Sequence, residues 1–449
     1  MPYVVVQNFF SSDTVINGGS QSARNLLVGL HHLGCPLHIL SWNTGTSGTT
    51  AIKWVNCEFG KIAAVSLPPL QAWHDPVVVS QIRTILHQLP EQDGIFHLLE
   101  PKEYLGSWLS ALEKTSYQVI ATALDYAWIC ATSHLLTRQS AQCAGPKNAS
   151  SCLQCFYDHR HLLKALALKL MLASTSLPAA VTKSLPNQLT QLAHPAQEKR
   201  IMTETRLAAL EQDFQRVDAL IAPSKVLGQF FIENGLAKHK VHHIPYGTQA
   251  GTKLTLDDRP PLSEKIVFGF VGKLTFDKGL DLLIEALKQL RQQEPNPFRL
   301  IVYASPHPSG FGQIMQQQIA SLDWITLSQF DGRDPSSIDA AHRSIHFQIA
   351  PSRWTDNLPN AVLEGVERQT PIIAPDYGSF PEMIQHGVNG WLYSNNTVAT
   401  LKETLSNLIR TPKSYAKLSF DAATIRRPID EATDVFQLYR TLNQIHKKP

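Results

Sequence analysis

IAPSRWTDNLPNAVLEGVERQTPIIAPDYGSFPEMIQHGVNGWLY, residues 349 to 393, decides how the rest of the chain is read. It reads as strand, loop, helix, strand, loop, helix and turn. Gln348, Ile349 and Ala350 close an apolar strand, and Pro351 to Asn357 make a polar loop. Leu358-Pro359-Asn360 opens a helix, where proline suits a first turn that needs no backbone donor. Ala361, Val362, Glu364, Gly365 and Arg368 continue that helix, and Pro371 to Pro375 form a second buried strand. Gly378-Ser379 then turns into another short helix. A helix start facing a loop at the end of a parallel strand is a ready anion site. Its free amides and its positive dipole end both favour phosphate.

Working outward, Ile266 to Gly272 reads as the first strand of the same unit. Lys273-Leu274-Thr275-Phe276-Asp277-Lys278-Gly279 joins it to a helix with Leu280, Leu283, Ile284, Leu287 and Leu290 on its core face. Phe298 to Ala304, Trp324 to Leu327 and Phe347 to Ala350 are further strands, and Phe330-Asp331-Gly332 is a loop. Helices near Val398 to Ile409 and Glu431 to Ile445 follow Tyr393.

The first half repeats the pattern. Tyr3 to Gln7 is a strand, and the loop Asn8 to Asn17 leads to Gly18-Gly19-Ser20 and a helix with Leu26, Leu27, Leu30 and Leu33 on one side. Paired glycines between a strand and a helix let backbone approach a ligand, although such a pair can also be only a turn. Leu37 to Trp42, Ile62 to Pro68, Ile95 to Leu99 and Val119 to Asp125 read as strands, with a turn at Gly45 to Thr50. A helix runs through Tyr104, Leu105, Trp108, Leu109 and Leu112, and a second, charged helix covers Gln197 to Val217. Ala219 to Ser224 is the last long strand, Lys225 to Gly235 its helix, and Val241 to Gly247 a short strand and turn. Alternation of apolar strands with helices is the doubly wound α/β pattern.

The chain has 449 residues, too many for one ordinary core, so two domains are expected. The boundaries read as 1–247, with a cysteine-containing insertion at about 126–160, a linker at 248–265 without apolar period, 266–425, and a last helical segment at 426–449. Charged residues make up 17% and hydrophobic residues 43%, which excludes a disordered chain. A formal charge of +3 over this length gives no argument for nucleic acid. MPYVVVQNFF has no basic region before its apolar run, so a first strand is expected rather than a signal peptide. No apolar run is long enough to span a bilayer, and a cytoplasmic protein is expected.

Cys130, Cys143, Cys152 and Cys155 lie together in sequence, the last two as C-x-x-C. Such spacing can hold structural zinc, with His159 and His161 as further candidate ligands. A loop of unligated thiols is the preferred reading, and a redox pair is the least favoured. The Leu-rich stretch His161 to Ser174, with Lys164 and Lys169, suits either a buried helix or a peripheral membrane contact, and the buried helix is preferred.

The quoted stretch resembles the donor-binding signature of the group 1 family of retaining, nucleotide-sugar-dependent glycosyltransferases. That signature is a Glu, seven residues, and a second Glu at a helix start, followed by an apolar strand and a glycine turn. Here the spacing is kept with Asp356 and Glu364. Gly18-Gly19, DALIAPS (Asp218 to Ser224) and FVGKLTFDKGLDLLIEAL (Phe270 to Leu287) extend the resemblance over most of the chain. It implies the GT-B fold: two Rossmann-like doubly wound domains facing across a cleft, the first binding acceptor, the second binding donor, and a last helix crossing back to the first.

What the resemblance implies for chemistry is specific. Breaking the anomeric carbon–oxygen bond leaves extra negative charge on a diphosphate, through an oxocarbenium-like state as in glycoside hydrolysis. Fixed cations and amides must meet that charge. Lys273 and Lys278 fit the need, where the family usually has Arg then Lys. Glu364 would accept hydrogen bonds from ribose hydroxyls, Asp356 would reach the donor sugar, and backbone from Asn357 through Leu358, Pro359 and Asn360 to Ala361 would hold sugar and phosphates. Gly18 and Gly19 would lie against the diphosphate and acceptor, and Phe330 to Gly332 would face the base. Glu382 is read as structural. The family's His before Asp125 is Leu124 here, with His134 a substitute by sequence proximity alone.

No D-x-D triplet stands where it could hold a metal against the diphosphate, so a metal-independent reaction is expected. No cofactor is expected beyond the nucleotide sugar itself, and the acceptor is expected to be a glycan, a lipid-linked glycan or an envelope component. The alternative is a nucleotide-sugar-binding pseudoenzyme acting as a partner or regulatory subunit. It is favoured by three departures, Asp356 for Glu, Leu124 for His and Lys273 for Arg. A dinucleotide-dependent oxidoreductase lacks the required G-x-G-x-x-G after the first strand.

Overall fold

The computed structural model describes residues 1–7, 9, 18–45, 51–137, 141–156, 187–261, 265–293, 298–304, 310–411, 418–420 and 425–446. The first half forms an 8-stranded sheet from β1 (Tyr3–Gln7), β2 (Leu37–Thr44), β3 (Val55–Cys57), β4 (Gly60–Leu67), β5 (Asp93–Leu98), β6 (Ser116–Thr122), β7 (Ala219–Ala222) and β8 (Val241–His243). Its order is β3-β4-β2-β1-β5-β6-β7-β8, parallel except where β3 pairs antiparallel with β4. The second half forms a 6-stranded parallel sheet from β9 (Ile266–Val271), β10 (Phe298–Tyr303), β11 (Ile325–Ser328), β12 (Phe347–Ile349), β13 (Ile372–Pro375) and β14 (Gly390–Tyr393). Its order is β11-β10-β9-β12-β13-β14.

The inner strands are largely buried because helices cover both faces of a parallel sheet, whereas the edge strands β3, β8 and β11 keep exposed residues. Every residue of β9 is buried, and Phe268 packs with Phe298 and Phe347 from the neighbouring strands. In each sheet the strand order reverses beside the first strand, between β1 and β5 and between β9 and β12. Such switch points open a crevice at the carboxyl ends of the strands, where loops diverge to opposite faces. The two crevices face one another, which is the GT-B arrangement expected from the sequence.

The helix Pro428–His446 leaves the second sheet and packs on the first. Ala432, Val435, Leu438 and Tyr439 join Leu26, Leu27 and Leu30 of the helix Gly18–His32 in one core. Gly29 permits the contact, since a Cβ there would stand 2.3 Å from the carbonyl oxygen of Pro428. The Tyr439 hydroxyl lies 2.6 Å from Nδ1 of the buried His97, and burial pushes that imidazole down to about 3, so it is neutral.

Three features depart from the sequence reading. Gly390–Tyr393, read as a turn, is the edge strand β14, and Val55–Cys57, not read as a strand, adds β3 at the edge of the first sheet, while β8 falls within the short strand expected at Val241 to Gly247. The helices Pro76–Leu86, Gly310–Ala320 and Pro335–Arg343 were not expected. Gly18 and Gly19 are the first residues of their helix and not a loop before it. Apart from Phe9 and Gly45, the stretches Asn8 to Asn17 and Gly45 to Thr50 lie outside the described residues. So do His159, His161 and the Leu-rich segment with Lys164 and Lys169.

Candidate active site

The facing crevices enclose a cleft of about 560 Å3. Loops after β5 and β6 supply Glu100, Lys102, Leu124 and Asp125 from one side, with Gly18, Gly19 and Ser22 at a helix start. Loops after β9 and β12 supply Lys273, Lys278, Trp354, Asp356, Asn357, Leu358, Pro359 and Asn360 from the other. The residues expected to hold the donor sugar and diphosphate therefore share one cavity. Glu364 does not line it, but sits one turn along the helix Asn360–Glu367, whose start does.

The Lys273–Lys278 loop is fixed against the Pro351–Asn357 loop. Arg353 places its guanidinium on Asp281 at 2.7 and 2.8 Å and over the Phe276 ring at 4.2 Å. Its amide donates to the Asp277 carbonyl at 2.7 Å. Gly279, with φ of 73°, ends the short turn, and a Cβ there would lie 2.0 Å from the Pro351 carbonyl oxygen. The result sets Lys278 Nζ 2.7 Å from Asp356 Oδ2 and 5.0 Å from the Trp354 ring centroid. Ser352 Oγ donates to the same carboxylate oxygen at 3.2 Å. Lys273 is exposed as a whole residue, yet partial desolvation, with Lys278 and Lys102 nearby, holds its ammonium below the usual lysine range.

Asp356 and Leu358 are held from behind by the glycine turn. Ser379 donates its amide to the Asp356 carbonyl at 3.0 Å and accepts from the Leu358 amide at 2.6 Å through Oγ. Gly378 has φ of 62°, and a Cβ would crowd the Asp356 backbone at 3.0 Å. Leu358 itself lies in the left-handed region at φ 48°, a conformation that costs a bulky residue on the order of 1 kcal/mol. Its side chain is anchored among Tyr246, Val362, Leu363 and Phe380. The helix beyond begins with amides that have no intrahelical acceptor. Asn360 and Ala361 face the cleft there, while the Val362 amide donates to the Pro359 carbonyl at 2.9 Å.

Contacts across the cleft involve the same short stretch. Asn357 accepts from Ser224 Oγ at 2.6 Å and donates to the Leu124 carbonyl at 3.0 Å. Asn360 donates to the Gly18 carbonyl at 2.9 Å. Trp354 is edge-on to Tyr126 and His134, so His134 does reach the cleft. Leu124 gives only its carbonyl, while its side chain packs with the apolar cluster around Leu358. Glu382 accepts from the amides of Lys225 and Val226 at 2.9 and 3.0 Å, capping the start of the helix Lys225–Glu233 in the opposite half.

Glu364 retains some exposure, yet protein surrounds its carboxyl. Desolvation pushes it up to about 7, with Arg368 working in the opposite direction. Glu100 and Asp125 are also raised by burial. Phe330, expected near the base, packs on Tyr303 and does not line the cleft. Cys130, Cys143, Cys152 and Cys155 carry no disulfide, and burial raises the Cys152 thiol to about 11. Among the described residues no three His, Cys, Asp or Glu side chains are placed to hold a metal.

Ser352, Trp354, Ser224, Ser379, Glu100 and Lys102 were not singled out from sequence. Ser352 and Trp354 stand inside the deciding stretch, and Glu100-Pro101-Lys102 follows an apolar strand end, which is where a switch-point ligand is met.

Residues 255–424 match the family model described as glycosyl transferases group 1. A D-inositol 3-phosphate glycosyltransferase of Corynebacterium efficiens is 26% identical over 181 residues, covering 40% of this chain and 42% of that protein. The match thus spans about two fifths of that curated relative. Two solved structures align over nearly the whole chain. Sucrose-phosphate synthase of Thermosynechococcus elongatus has a TM-score of 0.63 at 13% identity, covering 99% of both chains. Anabaena HepE in complex with UDP and glucose has a TM-score of 0.59 at 14% identity, covering 98% of this chain and 99% of that one. At those identities the structural likeness establishes the fold.

Proposed function

We propose that this chain, which has the fold of the GT-B glycosyltransferase superfamily, transfers a hexose from a nucleotide sugar to a hydroxyl of a glycan, lipid-linked or envelope acceptor. The observation that carries the reading is the convergence of Lys273, Lys278, Asp356 and the start of the helix Asn360–Glu367 on one cleft between the two sheets. The diphosphate lies between the lysines and the helix start, whose amides and dipole favour it without a metal. Asp356, set by Lys278 and Ser352, accepts from hydroxyls of the donor sugar. Glu364 accepts from the ribose. As the anomeric bond breaks, its electron pair passes to the leaving phosphate oxygen, where the lysines meet the added charge. The acceptor hydroxyl attacks the same face, and its proton passes to that phosphate, so configuration is retained. The reaction is assigned to the cytoplasm. Among the described residues no helix is long and apolar enough to cross a membrane.

A nucleotide-sugar-binding pseudoenzyme is the second reading, favoured by Leu124, which presents no side-chain hydrogen-bonding group where the family has His. One experiment separates the two. Thermal stabilisation and nucleotide release are measured with UDP-, GDP-, ADP- and dTDP-sugars, without metal, on wild type and Glu364→Ala. Stabilisation by one nucleotide class with release of its nucleotide, both lost in the variant, is the expected result. Binding without release, with glycan acceptors supplied, selects the pseudoenzyme. No stabilisation by any donor overturns both.

A further inference from the structure

At the carboxyl end of β5 the chain makes a tight turn, Glu100-Pro101-Lys102, whose backbone is anchored on three sides. The Glu100 amide donates to the Val5 carbonyl at 3.0 Å, and the Glu100 carbonyl accepts from Trp42 Nε1 at 3.0 Å. The Tyr104 amide donates to the Pro101 carbonyl at 3.0 Å. Within this turn Lys102 has φ of 46°. That is left-handed backbone, which glycine or asparagine adopts with less strain than lysine. A lysine held there points to a use for its side chain.

The side chain enters the cleft. Lys102 Nζ lies 3.5 Å from Glu100 Oε1, which also accepts from Ser20 Oγ at 3.0 Å. Glu100 is 1% exposed and Lys102 36%. Lys102 lines the same cleft as Lys273 and Lys278, and both Lys102 and Lys278 disfavour the charged form of Lys273. Three cations therefore converge from two halves of the molecule. In the ligand-free cleft, Asp356 engages Lys278 and Glu100 engages Lys102, whereas Lys273 makes no ion pair among the described residues. Such a gathering of like charge is unfavourable until an anion of several charges enters.

We propose that Lys102 is a third diphosphate cation, supplied by the half of the molecule opposite Lys273 and Lys278, so that the full positive charge of the site exists only while the two halves are apposed. This rests on the nucleotide-sugar reading and extends it. The Lys102 ammonium turns from Glu100 to donate a hydrogen bond to a phosphate oxygen, keeping its proton. It stabilises the leaving diphosphate after the anomeric electron pair has passed to it. Glu100 and Ser20 position the ammonium before the donor arrives.

The test compares wild type with Lys102→Met, Lys102→Arg and Lys102→Gly. UDP, GDP, ADP and dTDP are titrated alongside the corresponding monophosphates, and donor hydrolysis is followed with the nucleotide sugar of the base that binds. Lys102→Met is expected to weaken diphosphate binding about tenfold while changing monophosphate binding less than about twofold. Hydrolysis should fall about a hundredfold in kcat. Lys102→Arg should restore part of both. Lys102→Gly should show the same losses without a lower Tm, because glycine relaxes the left-handed turn. Unchanged diphosphate affinity and hydrolysis in Lys102→Met overturn the proposal, including the case where only transfer to an added acceptor is lost. If wild type binds none of the four diphosphates, the donor reading itself fails, which is distinct from a variant that binds as wild type does.

Discussion

Glu364 shows how much of a site's chemistry depends on what surrounds one side chain. An ordinary glutamate at a helix surface would be ionised throughout the neutral range. Here desolvation pushes the carboxyl up to about 7, so its charge changes near neutrality. Hydrogen bonds from ribose hydroxyls favour the ionised form. Stabilisation of the protein by its nucleotide sugar should therefore grow as pH rises from about 6 to about 8. The same shift acts on the ligand-free protein with the opposite sign. A carboxyl raised on folding contributes stability that is present below its unfolded value and is lost as pH rises through about 7. In Glu364→Gln both slopes should flatten, as read by melting temperature with and without donor. An unchanged slope in the variant would contradict the assignment. The residue types were legible in sequence because Asp356 and Glu364 keep a recognisable spacing. Their surroundings were not: the Lys278 and Ser352 contacts to Asp356 join segments that only the folded chain brings together.

At the scale of elements, close approach of backbones decides the position of the last helix. Gly29 lets Pro428–His446 lie directly on Gly18–His32, with Ala432 Cβ only 2.7 Å from where a Cβ on residue 29 would be. Gly29→Ala should lower stability by about 1–3 kcal/mol through overpacking, seen as an earlier urea midpoint. A wild-type midpoint would mean that the two helices do not meet there. Long apolar strands such as β9 and the helix Leu280–Arg291 were legible because their periodicity and their burial agree. The helix Pro76–Leu86 was not, although Asp75 caps it by accepting from the Val77 and Val78 amides and Pro76 suits its first turn. Three consecutive valines read equally well as strand or helix. Likewise β14 has only four residues and follows Gly387, so its pairing with β13 decides what local sequence leaves open.

The whole molecule works as two crevices brought face to face. The short stretch Trp354 to Asn360 closes one half of the cleft and at the same time contacts the other, through Asn357, Asn360 and Trp354. Glu382 adds a cap on a helix of the opposite half. The proposed donor site and the contacts between the halves thus use overlapping residues. The doubly wound pattern in each half was readable from alternation alone, while the contacts between halves were not, since they pair residues more than 130 positions apart such as Ser224 and Asn357. The most direct test of the central claim is a crystal structure of the protein with the nucleoside diphosphate that stabilises it most. Phosphate oxygens within hydrogen-bonding distance of Lys273, Lys278 and the amides at the start of the helix Asn360–Glu367, with ribose at Glu364, are the predicted result. A nucleotide bound outside the cleft between the two sheets, or with its phosphates away from both lysines, would contradict it.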